Sequence, residues 1–263
     1  FSTAGNDRVY AVAQGGDLSL YYAGFVQSDI TSAAAVAAAS RDAVITKLSP
    51  TGQLLWSKSY GGAAEDQFFA MIVTSDGNLL AAGLSRSFVT GATDNDALLV
   101  KVSSDTGMVL WSQRFRTPGH DYLFNVRELS TGGFVAVGAS TVIAGGKEDA
   151  LILRTDASGV TLWSKVIGGT VEADRFTDLL ITTQAGVTSI LAGGYTQSYG
   201  LAFLPALQRE GMLVRFSDAG VVEWSRIIGG SVEDRIHGLT DTADHSAYVI
   251  ALKSDLPTSG GAD

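Results

Sequence analysis

The chain has 263 residues, enough for one large or two ordinary domains, and 27 acidic against 18 basic residues leave it a net charge of -9. An acidic surface repels phosphate backbones, which argues against a nucleic-acid partner. Cysteine is absent, excluding disulfides and thiolate chemistry, and no apolar stretch exceeds about seven residues where a membrane-spanning helix needs ~20.

The first unit runs from Asp7, at the end of AGND (4–7), to about residue 58. Two apolar runs are closed by Gly24, a connection spans 28–41, and DAVITKLSPTGQLLWSK fills 42–58. A turn, GGAAED at 61–66, leads into the second unit, 66–115. Its parts are FFAMIVTSDGNLLAAG (68–83) and DALLVKVSSDTGMVLWSQ (96–113). The third unit, 121–167, follows PGHD (118–121) and contains LFNVRELSTGGFVAVG (123–138) and DALILRTDASGVTLWSK (149–165). The fourth, 174–228, follows GGTVEAD (168–174) and ends with EGMLVRFSDAGVVEWSR (210–226). A partial fifth, 233–263, follows GGSVED (229–234); it carries Leu252 where the closing glycine stands elsewhere, and finishes on GGAD.

Each unit holds four short runs rich in Val, Ile, Leu and aromatics. In the second they fall at roughly 67–74, 79–85, 96–103 and 109–115, separated by turn residues such as Asp76-Gly77-Asn78. The 31 glycines, against only 4 prolines, suit many tight turns. No unit carries a run of helical periodicity, which excludes a helical solenoid. Four strands per unit in tandem predict an all-β fold, a β-propeller of four-stranded antiparallel blades, with about four and a half blades present. A ring left with an unpaired sheet edge invites aggregation. The expectation is therefore a piece of a larger ring of roughly six to eight blades, or a ring closed by a partner chain.

Residues that recur in every unit are expected to serve the blade. The four tryptophans, Trp56, Trp111, Trp163 and Trp224, each follow a glycine by four residues and precede a serine. They are expected to fill the wedge between blades and to donate their N–H to a main-chain carbonyl; the alternative is a set of sugar-stacking platforms. Asp7, Asp66, Asp121, Asp174 and Asp234 stand at the entry to the first strand of each unit. They are expected to accept hydrogen bonds from their own glycine-rich turns. The alternative is a ring of carboxylates holding a hard cation such as calcium, although no D-x-D-x-D-G loop is present. Lys47, Lys101, Arg154 and Arg215 follow the acids Asp42, Asp96, Asp149 and Glu210 by five residues, and ion pairs between blades are expected of these two columns.

Signals for catalysis are poor. His120, His237 and His245 occupy unrelated repeat positions, and neither a nucleophile elbow nor a phosphate-binding loop is present. No catalytic residue, metal ligand or cofactor is therefore assigned.

The repeat resembles the bacterial SBBP-type β-propeller repeat through Asp42, Lys47, Gly52, Trp56, Ser57, Gly61, Gly62 and Asp66, and the likeness extends over nearly the whole chain. It implies a secreted or surface-attached protein of a large assembly. Thr51-Gly52 to Trp56 and Thr106-Gly107 to Trp111 are also similar to the tryptophan-docking motif of quinoprotein-type propellers, in structural residues only. The function expected is a non-enzymatic scaffold in a larger extracellular or surface assembly, with a carbohydrate-binding or glycan-processing propeller as the alternative. Partner contacts are expected on one face, from the apolar loops carrying Val36 and Leu201, Phe203, Leu204 and Leu207. The partner would be another protein or a neighbouring copy.

Overall fold

The computed structural model describes residues 6–27, 41–87, 94–142, 147–169, 172–199, 208–230, 233–242 and 248–254. The first blade is β1 (Arg8–Gln14), β2 (Leu20–Gln27), β3 (Arg41–Leu48) and β4 (Leu54–Tyr60). The second is β5 (Asp66–Val73), β6 (Leu79–Ser85), β7 (Asp96–Val102) and β8 (Val109–Phe115). The third is β9 (Asp121–Glu128), β10 (Phe134–Ser140), β11 (Asp149–Thr155) and β12 (Thr161–Ile167). The fourth is β13 (Asp174–Gln184), β14 (Val187–Thr196), β15 (Glu210–Ser217) and β16 (Val222–Ile228). A two-stranded sheet follows, β17 (Asp234–Asp241) and β18 (Tyr248–Ser254). In every sheet the strands lie in sequence order. The fold is the all-β blade architecture that the repeat predicts, and the strands of the second unit fall within a residue of their expected bounds.

Burial follows position in the blade. The middle strands β6, β7, β10 and β11 are buried along their whole length. Covered on both faces, they read as near-continuous apolar runs rather than as alternations. The fourth strands β4, β8, β12 and β16 lie at sheet edges and are largely exposed.

The glycine that closes the second run has a geometric cause. The first strand carries an irregularity in register after its second or third residue, between Val9 and Ala11, Phe68 and Ala70, and Phe176 and Asp178. There Gly24, Gly83 and Gly194 approach the bulged main chain so closely that a Cβ would stand 1.8 Å from the carbonyl oxygen of Arg8, Gln67 or Arg175. The last sheet keeps the bulge, between Ile236 and Gly238, with Leu252 paired to Ile236.

Contacts divide the chain into two compact units, Phe1–Ala136 with Arg154–Leu162, and Val137–Leu153 with Trp163–Asp263. In the first unit one cluster joins Tyr21, Ile45, Tyr60, Phe68, Met71, Leu79 and Leu98, drawn from the first two blades. In the second unit Leu191 and Leu213 of the fourth blade pack with Ile236 and Leu239 of the last sheet.

Candidate functional site

The tryptophan column is a blade-to-blade dock. Trp56 Nε1 donates to the Ser104 carbonyl at 3.2 Å, and Trp163 Nε1 to the Asp218 carbonyl at 2.9 Å; each acceptor lies in the last turn of the next blade. The glycines of that column receive the rings. A Cβ on Gly107 would stand 3.0 Å from Trp56, on Gly159 2.6 Å from Trp111, and on Gly220 2.9 Å from Trp163. All three glycines also have φ between +65° and +83°, a region L-residues rarely enter. One position thus meets two demands, a left-handed turn and a flat seat for the neighbouring indole. Tyr60 adds to the first junction, donating its hydroxyl to the Gly107 carbonyl at 2.8 Å, and burial raises its pKa.

The aspartate column caps the glycine-rich turns. Gly62 N–H donates to Asp66 Oδ2 at 3.0 Å, Thr117 N–H to Asp121 Oδ2 at 2.6 Å, Gly169 N–H to Asp174 Oδ2 at 3.2 Å, and Gly230 N–H to Asp234 Oδ2 at 2.7 Å. Asp7 accepts instead from Gln27 N–H at 3.1 Å. Hydroxyls of Thr196 and Ser198 also donate to Asp174. The main chain of this column ties successive blades together. N–H groups of Asp121, Asp174 and Asp234 donate to the carbonyls of Asn95, Glu148 and Arg209, at 2.7, 2.6 and 2.6 Å.

The basic column departs from expectation. In the β-ladder Lys47, Lys101 and Arg215 lie directly opposite Trp56, Trp111 and Trp224. Their charges turn inward to their own blades: Lys47 meets Asp17 at 3.3 Å, Lys101 meets Asp76 at 2.6 Å, and Arg215 meets Glu223 at 2.8 Å. Arg154 donates to the Gly132 carbonyl at 2.8 Å. These contacts lie within blades, not between them: Asp17 and Asp76 stand in the first hairpin turn of the same blade, and Glu223 on its fourth strand. Ion pairs between blades do occur at other positions, Arg41 with Glu65 at 2.7 Å and Arg209 with Glu233 at 3.7 Å, where no repeat column pointed to them.

His120 fits a structural role. Its Nδ1 accepts from Asn95 N–H at 3.1 Å, and its ring stacks on Tyr122. Among the described residues no group of three or more His, Cys, Asp or Glu side chains is placed to hold a metal ion, and no helix is long and apolar enough to cross a membrane. Val36, Leu201, Phe203, Leu204 and Leu207 lie outside the described residues.

Two features escaped the repeat reading. One is a row of aromatic rings on the first strands: Tyr10 lies edge-on to Phe69 at 5.2 Å, Phe69 is 5.4 Å from Phe124, and Phe124 stacks with Tyr122 at 6.0 Å. The other is exposed apolar side chains just ahead of each tryptophan, among them Leu55, Met108, Leu110, Val160, Leu162 and Val221. The second was visible in the sequence, as LLW, MVLW and VTLW, but burial at a sheet edge is not.

The family model described as "Outer membrane protein assembly factor BamB" matches residues 41–164, just under half of the chain and a span containing Trp56, Trp111 and Trp163. No curated protein sequence matches. Among solved structures, a protein of unknown function from Bacteroides caccae is similar at 13% identity and a TM-score of 0.50, over 90% of this chain and 68% of its own. A protein of unknown function from Dyadobacter fermentans is similar at 10% identity and 0.52, over 84% and 64%. The β-propeller domain of the trilobed protease from Pyrococcus furiosus is similar at 6% identity and 0.45, over 95% and 70%. Four-stranded antiparallel blades joined by docked tryptophans make the chain a β-propeller, and its residues 41–164 are similar to the BamB repeat.

Proposed function

We propose that the chain is a non-catalytic scaffold, a propeller module of a larger extracellular or cell-surface assembly built from SBBP-type repeats. The observation that carries this reading is the fourth strand of each blade. It lies at a sheet edge and projects large apolar side chains into solvent: Leu55, Leu110 and Leu162 are each more than half exposed. A free edge with apolar side chains suits an extended segment of another protein, which would add as a strand and bury those side chains. The columns shared by all blades are spent on docking neighbours, capping turns and pairing within blades, leaving the edges for partners. The loops with Val36, Leu201, Phe203, Leu204 and Leu207 are proposed for the same role. Replacing Leu55, Leu110 and Leu162 by Lys tests the edge: binding of an extended-peptide library or self-association should be lost with the melting temperature nearly unchanged. Loss of folding instead would place these side chains in the core and sink the edge as the docking surface.

The aromatic row Tyr10, Phe69, Phe124 and Tyr122 favours a second reading, glycan binding by stacking on ring faces. A glycan array giving specific binding that Tyr10→Ala abolishes would select it over the scaffold.

A further inference from the structure

From each blade to the next, two acids are brought together: the one that opens or nearly opens the third strand, and the aspartate that opens the following blade. The pairs are Asp42 with Asp66, Asp96 with Asp121, Asp149 with Asp174, and Glu210 with Asp234. The main-chain bonds from Asp121, Asp174 and Asp234 to the residue before the partner acid fix three of them. Both members of these three pairs are buried, as is Asp66. Two ionised carboxylates taken out of water together are unfavourable unless positive charge or donors offset them.

At the second junction the chain supplies that charge itself. Arg114 Nη1 stands 3.0 Å from Asp96 Oδ2, and Arg116 Nε stands 3.6 Å from Asp96 Oδ1. Arg116 is the fifth residue after its tryptophan. In the other three copies that place is held by Gly61, Gly168 and Gly229. Those glycines lie against the carboxylates: a Cβ would stand 2.2 Å from Asp66 Oδ2, 1.8 Å from Asp149 Oδ1, and 1.5 Å from Glu210 Oε2. The Gly229 position is also 3.0 Å from Asp234 Oδ2, so both acids of that junction front one space. Glycine and arginine are therefore alternatives at one repeat position, and the guanidinium goes with the copy that lacks the glycine.

At the Gly229 and Gly61 junctions the acids have no guanidinium beside them among the described residues. Glu210 is 0% exposed, and neither of its carboxylate oxygens has a hydrogen-bond partner; Asp42 Oδ1 and Asp66 Oδ1 are likewise buried and unbonded. Among the described residues no basic side chain lies within 4.0 Å of Glu210, Asp234, Asp42 or Asp66. Burial, with Asp234 beside it, raises the Glu210 pKa, and burial with Asp66 does the same for Asp42.

We propose that the Glu210–Asp234 junction binds calcium, the ion supplying there the positive charge that the guanidiniums of Arg114 and Arg116 supply beside Asp96. Calcium suits the donor set because it takes about six to eight oxygens in an adaptable shell, and the two carboxylates would supply its charge balance while main-chain carbonyls and water complete the shell. An affinity of about 10⁻⁴–10⁻³ M, typical of extracellular modules, is expected. Binding would clamp successive blades at the point where their like charges otherwise push them apart.

The test is a calcium titration of the chelator-treated chain at pH 7.5, followed by calorimetry and by thermal melting. Heat of binding and a melting temperature that rises with calcium are expected, since a ligand that binds only the folded state stabilises it. Glu210→Gln should weaken calcium binding at its junction at least about tenfold, and raise the melting temperature in chelator by removing one buried charge. A melting temperature indifferent to calcium overturns the proposal, as does an unchanged titration in the Glu210→Gln variant. Stabilisation by acid alone, without calcium binding, would also overturn it and show that the pair shares a proton.

Discussion

The ring of Trp111 rests on Gly159 of the following blade, where a Cβ would stand 2.6 Å from Cζ3 and 2.8 Å from Cη2. Gly159 also sits at φ +83°, so Gly159→Ala combines a strained turn with an overpacked junction. A loss of about 2–4 kcal/mol is expected in denaturant unfolding. Gly52 also has positive φ, but nothing lies within 4 Å of its Cβ position. Gly52→Ala should therefore cost only about 1 kcal/mol. Equal losses at the two sites would show that the indole contact contributes nothing.

Trp163 binds its neighbour by packing and by the 2.9 Å bond to the Asp218 carbonyl. Trp163→Ala should cost about 3 kcal/mol, the low end for a large aromatic because the ring is only partly buried. Trp163→Phe should cost about 1 kcal/mol, close to the value of one hydrogen bond. Equilibrium unfolding of both variants separates the two contributions.

Gly83 faces main chain rather than a side chain, with the Gln67 carbonyl oxygen 1.8 Å from its Cβ position. Backbone in a paired strand has little room to retreat. Gly83→Ala should therefore prevent the second blade from forming, read as lost soluble expression or lost β-sheet circular dichroism. Gly77→Ala, in an open turn, should leave both intact.

The Asp76 carboxyl gives stability a pH dependence. Partial burial raises its pKa, but the Lys101 ammonium at 2.6 Å and donation from Thr74 and Asn78 outweigh this and hold it well below the usual carboxylate range. The unfolded chain then takes up a proton at a higher pH than the folded one. The contribution is present above the ordinary aspartate pKa and is lost as pH falls through that range toward the lowered value. Because the side chain is about half exposed, the contribution stays under about 1 kcal/mol. Asp76→Asn should destabilise by that amount at pH 7 and by progressively less as the pH falls below the ordinary aspartate pKa. A difference that does not shrink in acid would mean the carboxylate acts through shape rather than charge.

Blade architecture was legible because it is written in local pattern: apolar runs, turn residues and the spacing of Trp56, Trp111, Trp163 and Trp224. The capping role of Asp66 or Asp234 was legible too, since donor and acceptor lie four residues apart. The partners of Lys47 and Lys101 were not, because their acids, Asp17 and Asp76, lie 30 and 25 residues away in hairpin turns that the columns do not mark.

By itself, then, the sequence determined the strands, the turns and which positions recur, since side-chain alternation and left-handed glycine turns act over a few residues. Only the tertiary structure decided what each column meets. Trp56 finds the Ser104 carbonyl 48 residues on, and Trp163 the Asp218 carbonyl 55 residues on. It also set Glu210 against Asp234 while giving Asp96 the guanidinium of Arg116. Those encounters depend on how one twisted sheet stacks on the next, which brings distant copies of the repeat into register and makes the place of a charge, rather than its identity, decide what it needs.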